Sequence, residues 1–355
     1  MIVEGDDIYC LDCVAGLSML EAGSASLIIC DPPYFNVKGE FDKAWGDDFG
    51  AYLSDVRRWA GACRRALAPN GTLIWYGGWR NIAYAQVELD KMFRLVNSCV
   101  IHKRNGIMSN IARPEAQRSF LVNDERFLVY EAATREGGEP AYKLAAGMAR
   151  TRAFAPIVDY LRGELRRSGL TVGDVNRSMK THMGGHWFTD KSQWQMPSRA
   201  QYEELRRVLR GGRGGDFLAR DYDGLRAQYE ERRRDGRRGD FPAGDCDGPR
   251  GEYEALRRPF RMEGRQFDVF TIKSTASADC VKWGHATPKN EALTETLIRA
   301  TTRPGDLVVA PFAGSGTECL VAKTLGRRFV GFDIDARYVE SGRRRLRGAQ
   351  MSLFT

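Results

Sequence analysis

A chain of 355 residues that is 43% apolar can bury a large core and has room for about two domains of roughly 150 residues each. No run approaches the roughly 18 to 20 apolar residues of a membrane span, and Glu4, Asp6 and Asp7 stand where a secretory signal would be basic. The expectation is therefore a cytoplasmic protein with no membrane partner. Lys and Arg outnumber Asp and Glu by 54 to 46, a net charge of +8 that suits a polyanionic partner, with arginines gathered at Arg343, Arg344, Arg345 and Arg347.

The first 136 residues alternate strands and helices. Ser26 to Cys30 is an apolar run read as a buried strand ending at Asp31. Leu53, Val56, Trp59, Ala60, Cys63 and Leu67 recur at helical spacing, and Pro69-Asn70-Gly71 is expected to stop that helix in a turn before a strand at Thr72 to Tyr76. A helix from Ala83 to Phe93 and strands at Val96 to His102 and Phe127 to Glu131 follow. Alternation of this length implies a parallel sheet covered on both faces.

Residues 137 to 266 lose the strand signal and read as an inserted, mainly helical module. Within it, residues 215 to 234 match residues 239 to 258 at 12 of 20 positions, and a Tyr-Glu-x-x-Arg-Arg unit begins at Tyr202, Tyr229 and Tyr253. Duplication of this kind is expected at a surface. Two short helices around Ser168-Gly169-Leu170 within residues 157 to 180 outline a helix-turn-helix, whose second helix would run through Asn176, Arg177 and Lys180 as candidate DNA contacts; plain helix packing is the alternative. His182, His186, Trp187, Phe188 and Trp194 are expected as aromatic core. Of the eight cysteines only Cys10 and Cys13 form a C-x-x-C, without a second pair, so no metal site is expected.

From residue 267 the alternation returns: a helix from Glu291 to Thr302, a strand at Leu307 to Val309, a helix through Ala322 to Leu325 and a strand from Arg328 to Phe332. Gly314 and Gly316 lie between strand and helix, where backbone amides can meet an anionic group. Asp333 ends the next strand, near the roughly 20-residue offset at which an acid reaches ribose hydroxyls. At the other end of the chain, Asp31-Pro32-Pro33-Tyr34 removes two N–H donors from a stiff turn. What remains is an array of acceptors suited to an amino group, beside a tyrosine ring on which a base could stack.

These motifs resemble the S-adenosylmethionine-dependent DNA amino-methyltransferases of the permuted β class, in which D-P-P-Y precedes F-x-G-x-G. The same order stands here in Asp31-Pro32-Pro33-Tyr34 and Phe312-Ala313-Gly314-Ser315-Gly316. Asp12-Cys13, His285-Ala286-Thr287-Pro288-Lys289 and Gly331-Phe332-Asp333-Ile334-Asp335 with Tyr338 are similar to further family motifs. The resemblance implies a Rossmann-like α/β fold made of residues 1–136 and 267–355, with 137–266 as a target-recognition module. It further implies catalysis by Asp31, Pro32, Pro33 and Tyr34. The cofactor would be held by Asp12, Asp31, Lys289, Phe312, Gly314, Ser315, Gly316, Thr317 and Asp333. The partner would be duplex DNA, with an adenine flipped out for N6 methylation, and the assembly a homodimer. Cytosine-N4 methylation, or a DNA-binding regulator without activity, are the alternatives. No segment is left over for an endonuclease, which favours a solitary modification enzyme. Two departures stand out: Ala310 replaces the family's acid and Asn290 its proline. Asp31 or backbone carbonyls are expected to receive the cofactor's amino group instead.

Overall fold

The computed structural model describes residues 5–36, 44–104, 120, 122–134, 138–189, 194–211, 215–234, 255–262, 264–272 and 288–349. Two compact units result, one made of residues 1–141 and 258–355, the other of 142–257.

The first unit is built on an eight-stranded sheet. Its strands are β1 (Asp7–Cys10), β2 (Ala25–Cys30), β3 (Leu67–Gly77), β4 (Phe93–Lys103), β5 (Asp124–Ala132), β6 (Val269–Ile272), β7 (Leu307–Ala310) and β8 (Arg328–Asp333), in the order β1-β8-β7-β2-β3-β5-β4-β6. Every pairing is parallel except those of β5, which runs against β3 and β4. Six helices cover it: α1 (Cys13–Met19), α2 (Phe49–Ala66), α3 (Ile82–Leu89), α9 (Glu291–Thr301), α10 (Thr317–Thr324) and α11 (Ala336–Gly348), with α4 to α8 assigned below to the second unit. Alternation along the strands divides the core. Ile28, Leu73 and Phe332 face α1 to α3 with Val56 and Trp59, whereas Leu27, Ile74 and Ala310 face α9 to α11 with Leu297 and Val339. The sheet is therefore apolar on both faces, and polar chemistry is confined to its edges and strand ends.

Two local differences from the sequence have physical reasons. Pro69-Asn70-Gly71 falls inside β3: pairing runs Ala25 to Leu67, then skips to Leu27 opposite Thr72. The turn residues form a bulge that joins α2 directly to the strand, because Leu67 already pairs. Asn290 replaces the family's proline to good effect, since its side chain accepts from the Leu293 N–H at 2.9 Å and caps α9. After the insert the chain rejoins at Arg258, which pairs with Glu131 of β5 at 3.2 Å and donates to Thr72 of β3.

The second unit contains α4 (Ala141–Ser168), α5 (Val172–Ser178), α6 (Gly184–Trp187), α7 (Arg199–Arg210) and α8 (Tyr222–Arg234). Leu161, Val175, Trp187, Tyr202 and Leu225 are wholly buried among them. The expected first short helix is the end of the long α4, which runs through Pro156. Of the expected aromatic core, Trp187, Phe188 and Trp194 are buried, whereas His186 is half-buried and His182 is exposed. Surface placement of the repeat is corrected for its first copy: Phe217, Leu218, Tyr222 and Leu225 are buried, because these apolar side chains join the core formed with Leu161, Val175 and Tyr202. Most of the second copy, with Tyr253, lies outside the described residues.

Candidate active site

β2 and β7 are parallel neighbours, with Leu27 opposite Val308 and Ile28 opposite Val309. Asp31-Pro32-Pro33-Tyr34 and Phe312-Ala313-Gly314-Ser315-Gly316 therefore leave adjacent strand ends side by side. From β2 the chain moves toward β3, and from β7 toward β8 on the opposite side. That divergence opens a crevice at the carboxyl ends, where open α/β sheets bind ligands.

The glycine loop is shaped by left-handed backbone at Gly314 (φ 49°) and Gly316 (φ 74°). A Cβ on Gly316 would stand 2.8 Å from Ile8 Cδ1 and 3.1 Å from Gly342 Cα, so both conformation and space require glycine. Asp333 holds the loop from β8: its Oδ2 accepts from the Gly314 N–H and its Oδ1 from the Asp335 N–H, each at 2.9 Å. The carboxylate expected to meet ribose hydroxyls is thus also a brace for the glycine turn. Asp12 lies after β1, beside the end of β8, and caps α1 by accepting from Val14 and Ala15. Phe312 is half-buried and meets Trp59 edge to face at 5.1 Å.

Ser315 and Thr317, expected at the cofactor, meet a buried arginine. Arg345 Nη1 donates to the Ser315 carbonyl at 2.7 Å and to both hydroxyl oxygens at 3.0 Å, while its Nη2 meets Glu291 at 2.7 Å. The hydroxyls face into the protein because a buried guanidinium needs acceptors. Of the other C-terminal arginines read as suiting a polyanion, Arg343 pairs with Asp7, while Arg344 and Arg347 are exposed, Arg347 beside Glu340 on the surface. Arg345→Met leaves several acceptors without their donor. It is expected to lower the unfolding free energy by about 2 to 4 kcal/mol, read as a lower urea midpoint at unchanged m-value.

The polar centre of the crevice is a cluster that the sequence did not reveal. Lys289, just ahead of α9, reaches Asp31 Oδ1 at 2.9 Å and Glu125 Oε1 at 3.0 Å. Lys103 pairs with Glu125 Oε2 at 3.2 Å. The Tyr34 hydroxyl lies 2.7 Å from Asp31 Oδ1 and 3.1 Å from Glu125 Oε1, and donates its single proton between them. Lys289 Nζ also sits 4.5 Å above the Tyr76 ring and 5.8 Å from that of Tyr34. Burial alone would raise the Glu125 carboxyl and lower the Lys289 ammonium. Lys289 and Lys103 instead hold Glu125 down at about 2, and Asp31 with Glu125 keep Lys289 above the usual lysine range. Burial, then the charges of Asp31 and Glu125, push the Tyr34 hydroxyl up, so it remains a donor.

Lys289, expected at the cofactor, is thus tied to the Asp31 corner. Both interactions of Asp31 use Oδ1, and among the described residues none takes Oδ2. Glu125, Lys103, Tyr76 and Glu318 went unnoticed in the sequence because no motif spacing relates them to Asp31. For Glu125, its place just ahead of the apolar run Phe127 to Tyr130 was an available signal. His285-Ala286-Thr287 lie outside the described residues.

In the second unit, Thr171 and Asp174 form a capping box that starts α5. The helix stops at Ser178 rather than running through Lys180, which takes a left-handed conformation (φ 48°). Asn176, a candidate DNA contact, accepts from the Gly184 N–H with its Oδ1 at 2.9 Å and so links α5 to α6. Arg177 is exposed and pairs with Asp174 at 3.2 Å, and Lys180 is exposed. Among the described residues no cluster of His, Cys, Asp or Glu could hold a metal, and no helix is long and apolar enough to cross a membrane.

Fold and crevice define an α/β protein of doubly wound type with a ligand site at its central strand ends. Residues 25–344 match the DNA methylase family that groups N6 and N4 enzymes, and the chain belongs to that family. Over 87 residues it is 45% identical to the type II methyltransferase M2.DpnII of Streptococcus pneumoniae, covering 24% of this chain and 32% of that protein. Over 67 residues it is 49% identical to M1.MboII of Moraxella bovis, covering 19% and 26%. The matches thus span about a third or less of these curated relatives. The cytosine-N4-specific PvuII DNA methyltransferase superimposes with a TM-score of 0.50 at 14% identity, covering 96% of this chain and 86% of that one, a likeness of fold.

Proposed function

We propose that this chain is an S-adenosylmethionine-dependent DNA adenine-N6 methyltransferase of the permuted order, with residues 142–257 as its target-recognition module. The observation that carries the reading is the β2–β7 register, which brings an acceptor-rich Asp-Pro-Pro-Tyr corner beside a glycine loop. The residues fit such a cofactor: Asp12 and Asp333 stand at the ends of β1 and β8, Phe312 offers a half-exposed ring, and Gly314 and Gly316 keep the loop backbone bare. S-Adenosylmethionine supplies an electrophilic sulfonium methyl group.

The protein's part is to hold the amine and shape its electrons. The exocyclic nitrogen of adenine is a poor nucleophile because its lone pair is delocalised into the ring. Asp31 Oδ2 and the Pro32 carbonyl would accept its two N–H groups, localise the lone pair and stabilise the positive charge that develops on nitrogen as the methyl group passes to it from sulfur, after which one of those protons leaves to solvent. Lys289 and the Tyr34 hydroxyl occupy Oδ1, which fixes the carboxylate and leaves Oδ2 to the amine. Duplex DNA must release the base at a cost of a few kcal/mol, which stacking on the Tyr34 ring offsets. Arg177 and Lys180 are offered as phosphate contacts of the second unit.

Incubating the full chain with duplex DNA and cofactor carrying a labelled methyl group, then digesting to nucleosides, tests the reading. Labelled N6-methyladenine is expected. Labelled N4-methylcytosine would assign the cytosine reaction, and an unlabelled digest would assign a binding protein without turnover.

A further inference from the structure

Glu318 is the second residue of α10, the eight-residue helix that begins directly after the glycine loop. Only 5% of it is exposed, and among the described residues its carboxylate makes no hydrogen bond to another side chain and no ion pair. Neither oxygen is an orphaned buried atom, and its own N–H reaches the carboxylate, yet among these residues no countercharge touches it; a cation that did so would stabilise its ionised form. Its surroundings are those of the crevice. α10 covers the sheet face to which Tyr76 and Ala310 belong. The charge of Glu318 couples to Asp31 at the end of β2, Lys289 ahead of α9, Arg345 on α11 and Tyr76 on β3, as well as to neighbouring Cys319. Ala310, the last residue of β7, brings no charge to this face. The acid absent from the strand end is present on the helix that packs over it.

We infer that Glu318 is the binding residue for the ammonium group at the amino-acid end of S-adenosylmethionine, in place of an acid at position 310. The inference rests on the cofactor reading above and replaces the expectation that Asp31 or backbone carbonyls serve that group. Asp31 already pairs with Lys289, so a second cation there would face that ammonium. Burial, then the charge of Asp31, push the Glu318 carboxyl up to about 7, against the pull of its own N–H, Lys289 and Arg345. An arriving ammonium favours the ionised form and draws the proton off.

The test is calorimetric titration of the full chain with two probes, S-adenosylhomocysteine, which carries the ammonium, and 5′-methylthioadenosine, which lacks the amino-acid end. Glu318→Gln is expected to weaken S-adenosylhomocysteine at least tenfold while changing 5′-methylthioadenosine less than twofold. Equal loss for both probes, or no loss for either, overturns the assignment and leaves the cofactor reading standing. If the unaltered protein binds neither probe, the cofactor reading falls and this inference with it. Should the variant not fold, the unaltered protein decides. Its affinity for S-adenosylhomocysteine is expected to rise severalfold from pH 6 to 7.5 as Glu318 ionises, with 5′-methylthioadenosine flat, and a flat profile for both rejects the role.

Discussion

Asp31→Ala is expected to lower methyl transfer at least a thousandfold, while S-adenosylhomocysteine still binds. The side chain is the anionic half of the acceptor pair offered to the amine, and loss of one preorganised electrostatic contact of this kind costs about a hundred- to a thousandfold in turnover. Asp31→Ala also frees Lys289 to face the incoming amine with a positive charge, which adds to the barrier. Asp31→Asn keeps the shape and one acceptor oxygen, and should lose less. Single-turnover transfer of labelled methyl to DNA reads the chemical step, and titration reads binding; turnover surviving in Asp31→Ala would remove Asp31 from the mechanism.

Lys289→Met should produce the largest loss of stability in the crevice. The ammonium bridges Asp31 and Glu125 with only 13% of its side chain exposed, so its removal leaves two carboxylates facing one another. Breaking one side of such a buried pair costs about 3 to 5 kcal/mol. The pH dependence has a definite sign. Glu125 is held at about 2 against 4.5 for an ordinary glutamate, so its stabilisation is complete above pH 4.5 and is lost as pH falls from 4.5 toward 2. In Lys289→Met the Glu125 carboxyl rises, and stability lost at neutral pH should be partly regained on mild acidification. Thermal unfolding between pH 4 and 8 reads this: melting curves of variant and parent that keep a constant offset across that range would contradict it.

Much of the architecture was legible because it follows from local chemistry. Ser26 to Cys30 is an unbroken apolar run, so it could only be a strand buried on both faces. Asp31-Pro32-Pro33-Tyr34 and Gly314-Ser315-Gly316 interrupt the alternation at strand ends, which marks a crevice. The antiparallel β5 was not legible, since direction depends on the path of the chain rather than on periodicity. Glu125, which β5 carries into the cluster, was invisible for the same reason. Arg345 was misjudged because an Arg-Arg-Arg run looks alike whether it is solvated or buried; the buried Ser315 and Thr317 hydroxyls decide it. Asn176 looked like a groove reader from its helix position, yet an amide beside a turn also caps the neighbouring helix.

The position of β2 between β3 and β7 has a consequence for how the protein is made. Its first neighbour follows within one helix, whereas the second comes only after β3 to β6, so the loop to be closed is long. Until β7 emerges from the ribosome, a hydrophobic strand edge stays open and invites misassembly.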